Sequence, residues 1–413
     1  MAAQLAGNVA SGAHGEAAAL RIALVAPPMK AVPPAGYGGT ERVVAALAEG
    51  LSARGHEITV YATGDSEVPG RLVPTMPRSL WSEGYTGDVS AFMQITAARV
   101  WRDSPQFDII HSHLESHGFL LARHCTTPVV STLHGRLDTS GLPDLLDEFA
   151  EIPLVAISQS QRRFWPRLNW VATVHHGLGL RQMPHRDRPG PYLALVGRVC
   201  QEKGVAEAIA LAERTGVPLK LAAKVHDRAE IDMFASVVQP AVDRGVVEFL
   251  GELAPSERDP LLAGARATLM LGAWPEPFGL VAIESLATGT PVIGRRAGAL
   301  PELIEHGVDG FLIDDLDEAE IAVRLVAGLD RAQIRQRALD RFSTERMVRD
   351  YEAVYAHVLA SHDSRAVGQP GQDLGAIGSS AARTLQANGG TTVAISTGRG
   401  NGSRGPADAV TAR

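Results

Sequence analysis

Short apolar runs that alternate with helical patterns restrict the fold of this 413-residue chain more than any other feature. The run RIALVA at 21–26 is followed by a Gly-rich loop, by apolar residues at helical spacing from Val43 to Leu51, and by a second run at 58–62. Continuous apolar runs of this length are typical of strands that are buried on both faces, as in parallel sheets. A strand, a helix and a second strand in this order predict a βαβ unit and therefore an α/β fold.

The alternation continues to residue 313 and then gives way to helical patterns. Further strands are predicted at 107–111, 129–133, 154–157, 171–175, 192–196, 219–222, 246–249, 267–271, 291–294 and 311–313. Helices are predicted after the N-caps Thr40 and Ser158, at 91–102, 205–213 and 280–287, and throughout 318–360. The chain is too long for one ordinary core, so two domains are expected.

The polar, Pro-rich run between residues 184 and 191 is the best candidate for an inter-domain linker. The predicted order is a disordered leader at 1–19, an N-terminal Rossmann-like domain at 20–183, a linker at 184–191, a C-terminal Rossmann-like domain at 192–342, a C-terminal helix at 343–360 that returns to the N-terminal domain, and a disordered tail at 361–413. The predicted fold class is α/β, with two parallel sheets that face each other across a cleft.

The composition excludes several classes of protein. A net charge of −7, with no long run of Lys or Arg, provides no electrostatic case for binding nucleic acid. Cys125 and Cys200 are the only cysteines, which excludes a disulfide framework and a cysteine-rich zinc site. No apolar stretch is long enough to span a bilayer, and residues 1–19 lack the features of a secretory signal. A cytoplasmic protein is therefore predicted, and attachment to a membrane surface stays open.

The stretch WPEPFGLVAIES at 274–285 carries two carboxylates eight positions apart. Glu276 lies between two prolines and is expected in a loop, whereas Glu284 falls in the second turn of the helix predicted at 280–287. The two acids are therefore expected at different ends of one site. The alternative is an ordinary capped helix with a solvated Glu at each end.

Between these acids, the backbone amides of Phe278, Gly279 and Leu280 would lie at the start of the predicted helix. Such amides have no partner inside the helix, and the helix dipole attracts oxygen-rich ligands to them. A loop carboxylate, unpaired amides and a helical carboxylate together suit a ligand with many hydroxyl groups.

Arg198 and Lys203 follow the predicted strand at 192–196 and precede a predicted helix. A guanidinium fork and an ammonium group that converge on a strand end suit a diphosphate, although two solvated surface cations are the alternative. Gly38 and Gly39 precede the first helix, where a phosphate could also approach. That loop contains neither G-x-G-x-x-G nor G-K-[ST], so it is neither a dinucleotide fingerprint nor a P-loop.

Histidines gather after two of the predicted strands. The segment HSHLESH contains His111, His113, Glu115 and His117, which suggests a metal site. It lacks the helical H-E-x-x-H spacing, and side chains that follow parallel strands gather at one sheet edge in any case, so a metal is the less favoured interpretation. His134 follows the strand at 129–133 and either points into the ligand crevice or caps the strand.

Six motifs, in their order and spacing, resemble those of the retaining GT-B glycosyltransferases of family 4. They are GYGGTER at 36–42, HSH at 111–113, TLHG at 132–135, GRVCQEKG at 197–204, WPEPFGLVAIES at 274–285 and GALPELIEHGVDGFL at 298–312. The resemblance covers about residues 21–360 and implies a GT-B fold, with the acceptor on the N-terminal domain and the nucleotide-sugar donor on the C-terminal domain.

The resemblance also implies a role for each candidate site residue. Arg198 and Lys203 would hold the donor diphosphate, and amides at Gly38 and Gly39 would approach the diphosphate or the sugar. His134 would contact the sugar, and Glu276 would bind sugar hydroxyls together with the amides of Phe278, Gly279 and Leu280. Glu284 would bind the ribose hydroxyls. The sequence departs from the family at His175-His176-Gly177, where many relatives carry Asn-Gly, and at Ser285 and Thr288, where small apolar residues or Cys are common.

The function implied by the resemblance is transfer of a hexosyl group from a UDP- or GDP-sugar to an unidentified acceptor. The acceptor would attack the face from which the leaving group departs, with a donor phosphate oxygen taking its proton. The paired glutamates would then position the ligand and would not act as the acid and base of a glycosidase. Positive charge from Arg, Lys and a helix N-terminus would replace a metal, so neither a metal nor another cofactor is expected.

Other functions stay open on the sequence alone. A sugar-nucleotide 2-epimerase would use the same fold, and a nucleotide-sugar-binding protein without catalysis would keep the same charged residues. A phosphorylase would need a lysine that carries pyridoxal phosphate. Fold by itself does not decide among them.

Overall fold

The computed structural model describes residues 19–36 and 38–367. The predicted leader up to residue 18, the predicted tail from residue 368, and Tyr37 of the GYGGTER motif lie outside the described residues. The N-terminal strands are β1 Arg21–Val25, β2 Glu57–Ala62, β3 Arg71–Pro74, β4 Ile109–Ser112, β5 Val129–Thr132, β6 Leu154–Ala156 and β7 Trp170–Thr173. The C-terminal strands are β8 Leu193–Arg198, β9 Leu219–Lys224, β10 Val247–Phe249, β11 Ala267–Met270, β12 Val292–Arg295 and β13 Gly310–Ile313.

Helices connect these strands. The helices of the N-terminal half are α1 Gly39–Ala53, α2 Ser90–Asp103, α3 Phe119–His124, α4 Leu142–Glu148 and α5 Gln159–Phe164. Those that follow are α6 Val205–Thr215, α7 Arg228–Met233, α8 Gln239–Asp243, α9 Pro255–Gly264, α10 Leu280–Ala287, α11 Leu300–Leu303, α12 Leu316–Leu325, α13 Arg331–Phe342 and α14 Thr344–Val367. A π-helical segment, Phe234–Val238, joins α7 to α8.

The strands form two sheets. The N-terminal sheet has the order β3-β2-β1-β4-β5-β6-β7, and the C-terminal sheet has the order β10-β9-β8-β11-β12-β13. Every pair of neighbouring strands in these sheets is parallel. The predicted α/β fold with two parallel sheets is therefore confirmed. The domain boundaries proposed from the sequence stay a prediction.

Parallel strands need a covered surface on both faces, and the apolar residues of the helices provide it. On α1, Val43, Val44, Leu47 and Leu51 are all fully buried, as their helical spacing predicts. The apolar runs of the central strands are buried as well, and RIALV in β1 has only its first residue exposed. Hydrophobic periodicity therefore accounts for the core of each half.

Several predicted elements differ from the structure. Helix α1 begins at Gly39, so Thr40 lies in its first turn and the prediction of Thr40 as N-cap is wrong. The region 318–360, predicted to be helical throughout, contains parts of three helices with breaks between them. Asp330 accepts hydrogen bonds from the amides of Ala332 and Gln333 and so starts the second of these helices. Helix α14 also continues to Val367, seven residues beyond the helix end predicted at 360.

Helix α14 packs against the carboxyl edge of the N-terminal sheet. The hydroxyl of Tyr355 lies 2.8 Å from Nδ1 of His111 on β4, and the hydroxyl of Tyr351 lies 3.0 Å from Oγ1 of Thr132 on β5. Both tyrosines are fully buried. His111 is therefore a core residue that anchors this helix. It belongs to no group of side chains that could hold a metal ion among the described residues.

Helix α14 also packs closely against α1, and the contact depends on a glycine. A β-carbon at Gly50 would overlap Cγ2 of Val348 and would lie 3.0 Å from Cγ2 of Thr344. Val348 is fully buried and β-branched, so its side chain has little freedom to move aside.

We therefore expect Gly50→Ala to lower the free energy of unfolding by about 1–3 kcal/mol through overpacking. Alanine inside a helix is otherwise more stable than glycine by roughly 0.5–1 kcal/mol, so the sign of the change identifies the contact. Gly328→Ala is the control, because a β-carbon there meets nothing within 4 Å. Urea unfolding of both variants measures the difference, and equal stability of the two would contradict the proposed packing.

Candidate active site between the two sheets

A cavity of about 390 Å³ lies where the loops that follow the strands of the two sheets meet. Its N-terminal lining includes Lys30, Gly38, Gly39, Glu41, Arg42, Trp81, His134 and His176. Its C-terminal lining includes Lys203, Lys224, Glu252, Arg258, Glu276, Phe278, Gly279, Leu280 and Glu284. All of the site residues predicted from the sequence except Arg198 are among these residues. Such a crevice at the carboxyl ends of parallel strands is where ligands bind in α/β folds.

Lys203 and Glu276 form an ion pair inside the cavity. The distance between Nζ of Lys203 and Oε2 of Glu276 is 2.6 Å, and about a fifth of each side chain is exposed. Lys203 follows β8 and Glu276 follows β11, which are neighbouring strands of the C-terminal sheet. The structure therefore brings together a cation and a carboxylate that are 73 positions apart in the sequence.

The loop that carries Glu276 leads directly into α10, which spans Leu280–Ala287 as predicted. Gly279 precedes the helix with a φ of 102°, a backbone conformation that favours glycine. The loop is held from the other side by Gly298, because the amide of Ala299 donates to the carbonyl of Glu276 at 2.9 Å and a β-carbon at Gly298 would overlap the Glu276 backbone. The first residues of α10 therefore line the cavity together with Glu276, at the helix end where backbone amides have no partner inside the helix.

Glu284 lies in the second turn of α10 and is fully buried. Its Oε1 accepts a hydrogen bond from Arg42 of α1 and forms an ion pair with Nη2 of Arg258 of α9 at 2.9 Å. Its Oε2 is buried and has no hydrogen-bond partner among the described residues. The sequence analysis did not identify either arginine, although Arg42 belongs to the GYGGTER motif.

His134 follows β5 and lies in a group of stacked imidazole rings. Its Nε2 is 2.8 Å from Nδ1 of His113, and its ring stacks on that of His176 with centroids 5.1 Å apart. The His176 ring also meets the edge of Phe278 at 4.7 Å. Burial lowers the pKa of His134 from 6.5 to about 3, so the imidazole is neutral at physiological pH.

His176 is the site residue that sequence reasoning missed most clearly. It belongs to the HHG segment that departs from the family pattern, and the structure places it in the cavity wall between His134 and Phe278. The carbonyls of His175 and His176 accept hydrogen bonds from Nη2 of Arg346 on α14 at 2.7 and 2.8 Å. The departure itself was the available signal.

The Glu115 side chain supports the loop that carries His134. Its Oε1 accepts hydrogen bonds from the amides of His134 and Gly135, at 2.9 and 3.1 Å. Burial raises the pKa of Glu115 from 4.5 to about 7. The described ranges, which include HSHLESH, contain no group of three or more His, Cys, Asp or Glu that could hold a metal ion.

The start of α1 forms the N-terminal wall of the cavity. Gly39 opens the helix, and a β-carbon there would lie 3.5 Å from Cδ1 of Leu280 on α10. Glu41 in the same turn is buried, which raises its pKa from 4.5 to about 7. Lys30 lies 5.1 Å from the centre of the Trp81 ring, at a distance typical of a cation–π contact.

Arg198 is the predicted site residue that the structure does not bring to the cavity. Its Nη1 is 3.0 Å from Oε1 of Glu230, a buried residue of α7. Glu230 also accepts the amide of His226 at 2.7 Å, so its carboxylate is fixed beside the end of β8. Sequence reasoning could not anticipate this partner because α7 was not predicted.

Within residues 19–36 and 38–367, no helix is long and apolar enough to cross a membrane.

Three buried histidines and the partly buried His134 make stability depend on pH. Burial lowers the pKa of His111 and His134 to about 3, and lowers those of His113 and His176 well below the ordinary value of 6.5. Between pH 6.5 and 3 the unfolded chain therefore binds protons that the folded protein does not, and stability falls as the pH falls. Glu41 and Glu115 act in the opposite sense between pH 7 and 4.5, because the folded protein binds their protons first. Four histidines outnumber the two carboxyl groups, so a net loss is expected on acidification.

We expect the melting temperature of the wild type to fall between pH 7 and pH 5, and to fall less in His134→Asn. A histidine held neutral in the folded protein contributes up to about 1 kcal/mol per pH unit below its unfolded pKa, and the variant lacks the contribution of His134. His357→Asn, at an exposed position on α14, is the control and should keep the wild-type pH dependence. Thermal unfolding followed by circular dichroism at several pH values measures the slopes. An unchanged slope in His134→Asn would show that His134 is not buried as a neutral group.

Comparisons with known proteins agree with this architecture. Residues 37–176 match the family model described as Glycosyltransferase Family 4, and residues 181–340 match that described as Glycosyl transferases group 1. A glycogen synthase of Mycobacterium tuberculosis is 27% identical over 377 residues, which cover 78% of this chain and 89% of that protein. A D-inositol 3-phosphate glycosyltransferase of Mycolicibacterium smegmatis is 24% identical over 379 residues, or 80% of this chain and 87% of that protein.

Solved structures share the fold. AviGT4, a glycosyltransferase involved in avilamycin A biosynthesis, matches with a TM-score of 0.62 and 25% identity over 83% of this chain and 98% of that chain. Alr3699/HepE of Anabaena in complex with UDP-glucose matches with a TM-score of 0.63 and 18% identity over 83% of this chain and all of that chain. Together with the two family models, these matches show that the chain belongs to the GT-B glycosyltransferases of family 4 and group 1.

Proposed function

We propose that this glycosyltransferase moves a hexosyl group from a nucleoside diphosphate sugar to an acceptor with retention of configuration and without a metal. The observation that carries the proposal is the shared position of three features in one cavity. These are the Lys203–Glu276 ion pair, the open amides at the start of α10, and the buried Glu284 carboxylate. One sugar nucleotide can contact all three.

The features suit different parts of that ligand. Glu276 accepts hydrogen bonds from sugar hydroxyls, and the amides of Gly279 and Leu280 donate to oxygen atoms beside it. Lys203 neutralises the diphosphate as a point charge. Glu284 accepts from the ribose hydroxyls, which fits a buried Oε2 that has no partner among the described residues.

The remaining predicted residues complete the proposed site. His134 meets the sugar as a neutral imidazole, since burial lowers its pKa to about 3. The amides at Gly38 and Gly39 approach the diphosphate or the sugar from the N-terminal wall. Arg198 serves as a second diphosphate ligand only if its guanidinium leaves Glu230. Substitution of Arg198 therefore tests whether this rearrangement takes part in donor binding.

The proposed reaction is a same-face displacement. The acceptor hydroxyl forms a bond to the anomeric carbon as the bond to the diphosphate oxygen breaks, and its proton passes to an oxygen of the departing diphosphate. Lys203 and the N-terminus of α10 stabilise the charge that develops on that diphosphate. Glu276 is held by Lys203 at 2.6 Å, which supports a role in positioning rather than as a proton shuttle.

UDP- or GDP-hexose is the proposed donor, and the acceptor is unassigned. UDP-glucose is the ligand in the Anabaena structure, which shares the fold. For the present chain, the donor class rests on the contents of the cavity.

Lys203→Ala and Glu276→Ala are each expected to lower kcat/KM for donor turnover by a factor on the order of 10² to 10³, because each removes a group that stabilises the transferred sugar or the leaving diphosphate. Arg198→Ala is expected to lower it as well. Lys220→Ala is the matched control, since Lys220 forms a 2.9 Å ion pair with Glu248 away from the cavity. Transfer and slow donor hydrolysis are measured with UDP- and GDP-hexoses, with circular dichroism to verify folding. Full activity in Lys203→Ala would refute the assignment of Lys203 to the diphosphate. Full activity in Arg198→Ala would show that Arg198 does not bind the diphosphate and would leave Lys203 as its proposed ligand.

Treatment with excess EDTA, followed by its removal, should change the rate by less than about twofold, because Lys203 and the helix N-terminus supply the positive charge for the diphosphate. The same measurement with added Mg²⁺ or Mn²⁺ is the comparison. A loss of activity with EDTA that either ion restores would refute metal independence and leave the family assignment intact.

A further inference from the structure

We propose that Arg42 is a positioning residue for the donor ribose. It holds Oε1 of Glu284 so that Oε2 faces the ribose hydroxyls, and it does so from the opposite half of the molecule. Ribose recognition on the C-terminal half then depends on the docking of α1 against α10. The inference rests on the proposed function, because it assumes that Glu284 meets the ribose.

The contact joins the two halves at the starts of two helices. Arg42 lies in the first turn of α1, and Glu284 lies in the second turn of α10. Gly39 lies beside Leu280, and a β-carbon at Gly39 would be in ordinary van der Waals contact with Cδ1 of Leu280, at 3.5 Å. The neighbouring starts of α1 and α10 bring the Arg42 guanidinium to a carboxylate 242 positions away in the sequence.

Because Glu284 is buried, its carboxylate depends on its partners to compensate the negative charge. Only 1% of its side chain is exposed, and a buried carboxylate is costly unless cations and hydrogen bonds compensate it. Both arginines bind the same oxygen, Oε1, which leaves Oε2 without a partner among the described residues. A buried hydrogen-bond acceptor without a partner, in the wall of a cavity, indicates where a ligand would place a hydrogen-bond donor. Ribose hydroxyls are such donors.

Arg258 cannot replace Arg42, because its charge is shared. The same Nη2 atom that lies 2.9 Å from Glu284 also lies 2.6 Å from Oδ1 of Asp259. Arg258 and Glu284 also belong to the same half of the molecule, so their contact does not report how the halves dock. Arg42 therefore supplies both the compensating charge and the connection between the halves.

The first experiment measures whether the wild type recognises ribose. Isothermal titration with UDP, GDP and ADP identifies the nucleotide that binds best, and its 2′-deoxy and 3′-deoxy forms are then titrated. We expect at least one deoxy form to bind about tenfold or more weakly than the ribonucleotide, since it leaves the buried Oε2 without a donor. Binding of none of the nucleotides would overturn the proposed function itself. Equal binding of the ribo and both deoxy forms would overturn only the ribose assignment and the inference that rests on it.

The second experiment removes the positive charge of Arg42. In Arg42→Met, affinity for the ribonucleotide should fall about tenfold while affinity for the deoxy form changes less than threefold, so that discrimination is lost. Arg42→Lys keeps the charge and should retain part of the discrimination. Glu284→Gln should lose discrimination as well, and adding Arg42→Met to it should have little further effect, because the two residues act through one contact.

The control removes a different contact between the halves, one that does not involve Glu284. Arg136 lies 2.8 Å from Glu202 and packs over the Trp274 ring at 3.5 Å. Arg136→Met should therefore preserve the ribo-to-deoxy ratio. If Arg42→Met keeps the wild-type ratio, or if Arg136→Met loses it equally, the inference about Arg42 is wrong while the proposed function stands. Should Arg42→Met fail to fold, Arg42→Gln and Arg42→Lys carry the same test.

Discussion

Neighbouring strands run parallel throughout both sheets, so the loops that follow them gather along one edge of each sheet. The cavity lies where these two edges meet. His134 follows β5, Lys203 follows β8 and Glu276 follows β11, and the topology alone brings these distant segments together. Helix α14 maintains the arrangement, because its buried tyrosines bind His111 and Thr132 at the same edge of the N-terminal sheet. The chemistry of the site therefore depends first on parallel strand pairing.

Three carboxyl groups in or beside the cavity have different surroundings. Glu284 has two arginines, whereas Glu115 has two backbone amides and a pKa raised to about 7. Glu41, at the start of α1, also has its pKa raised to about 7 by burial. In Glu284, two arginines bind one oxygen, and the second oxygen is buried and has no hydrogen-bond partner among the described residues. That asymmetry supports the proposal that Glu284 binds a ligand, whereas the Glu115 carboxyl group supports the His134 loop.

Sequence reasoning succeeded where local pattern decides structure. The limits of α10 agree with the prediction because Gly279 and Gly289 bound a short apolar helix. It missed β3, a four-residue edge strand whose side chains are partly exposed, so that no continuous apolar run marks it. It also missed α9, in which Pro260 interrupts the usual helical signal. In the site, all predicted residues except Arg198 line the cavity, whereas His176, Arg42 and Arg258 were not identified.

The sequence by itself determined the fold class and the chemical types in the cavity, because apolar periodicity and turn residues act over a few positions. Tertiary structure decided which charges meet. Arg198 pairs with Glu230, Lys203 with Glu276, and Arg42 with Glu284, across separations of 32, 73 and 242 positions. These partners are set by how helices dock on sheets and how the two halves face each other, and no local pattern encodes those distances. The role of each charged residue is therefore a property of the packed molecule.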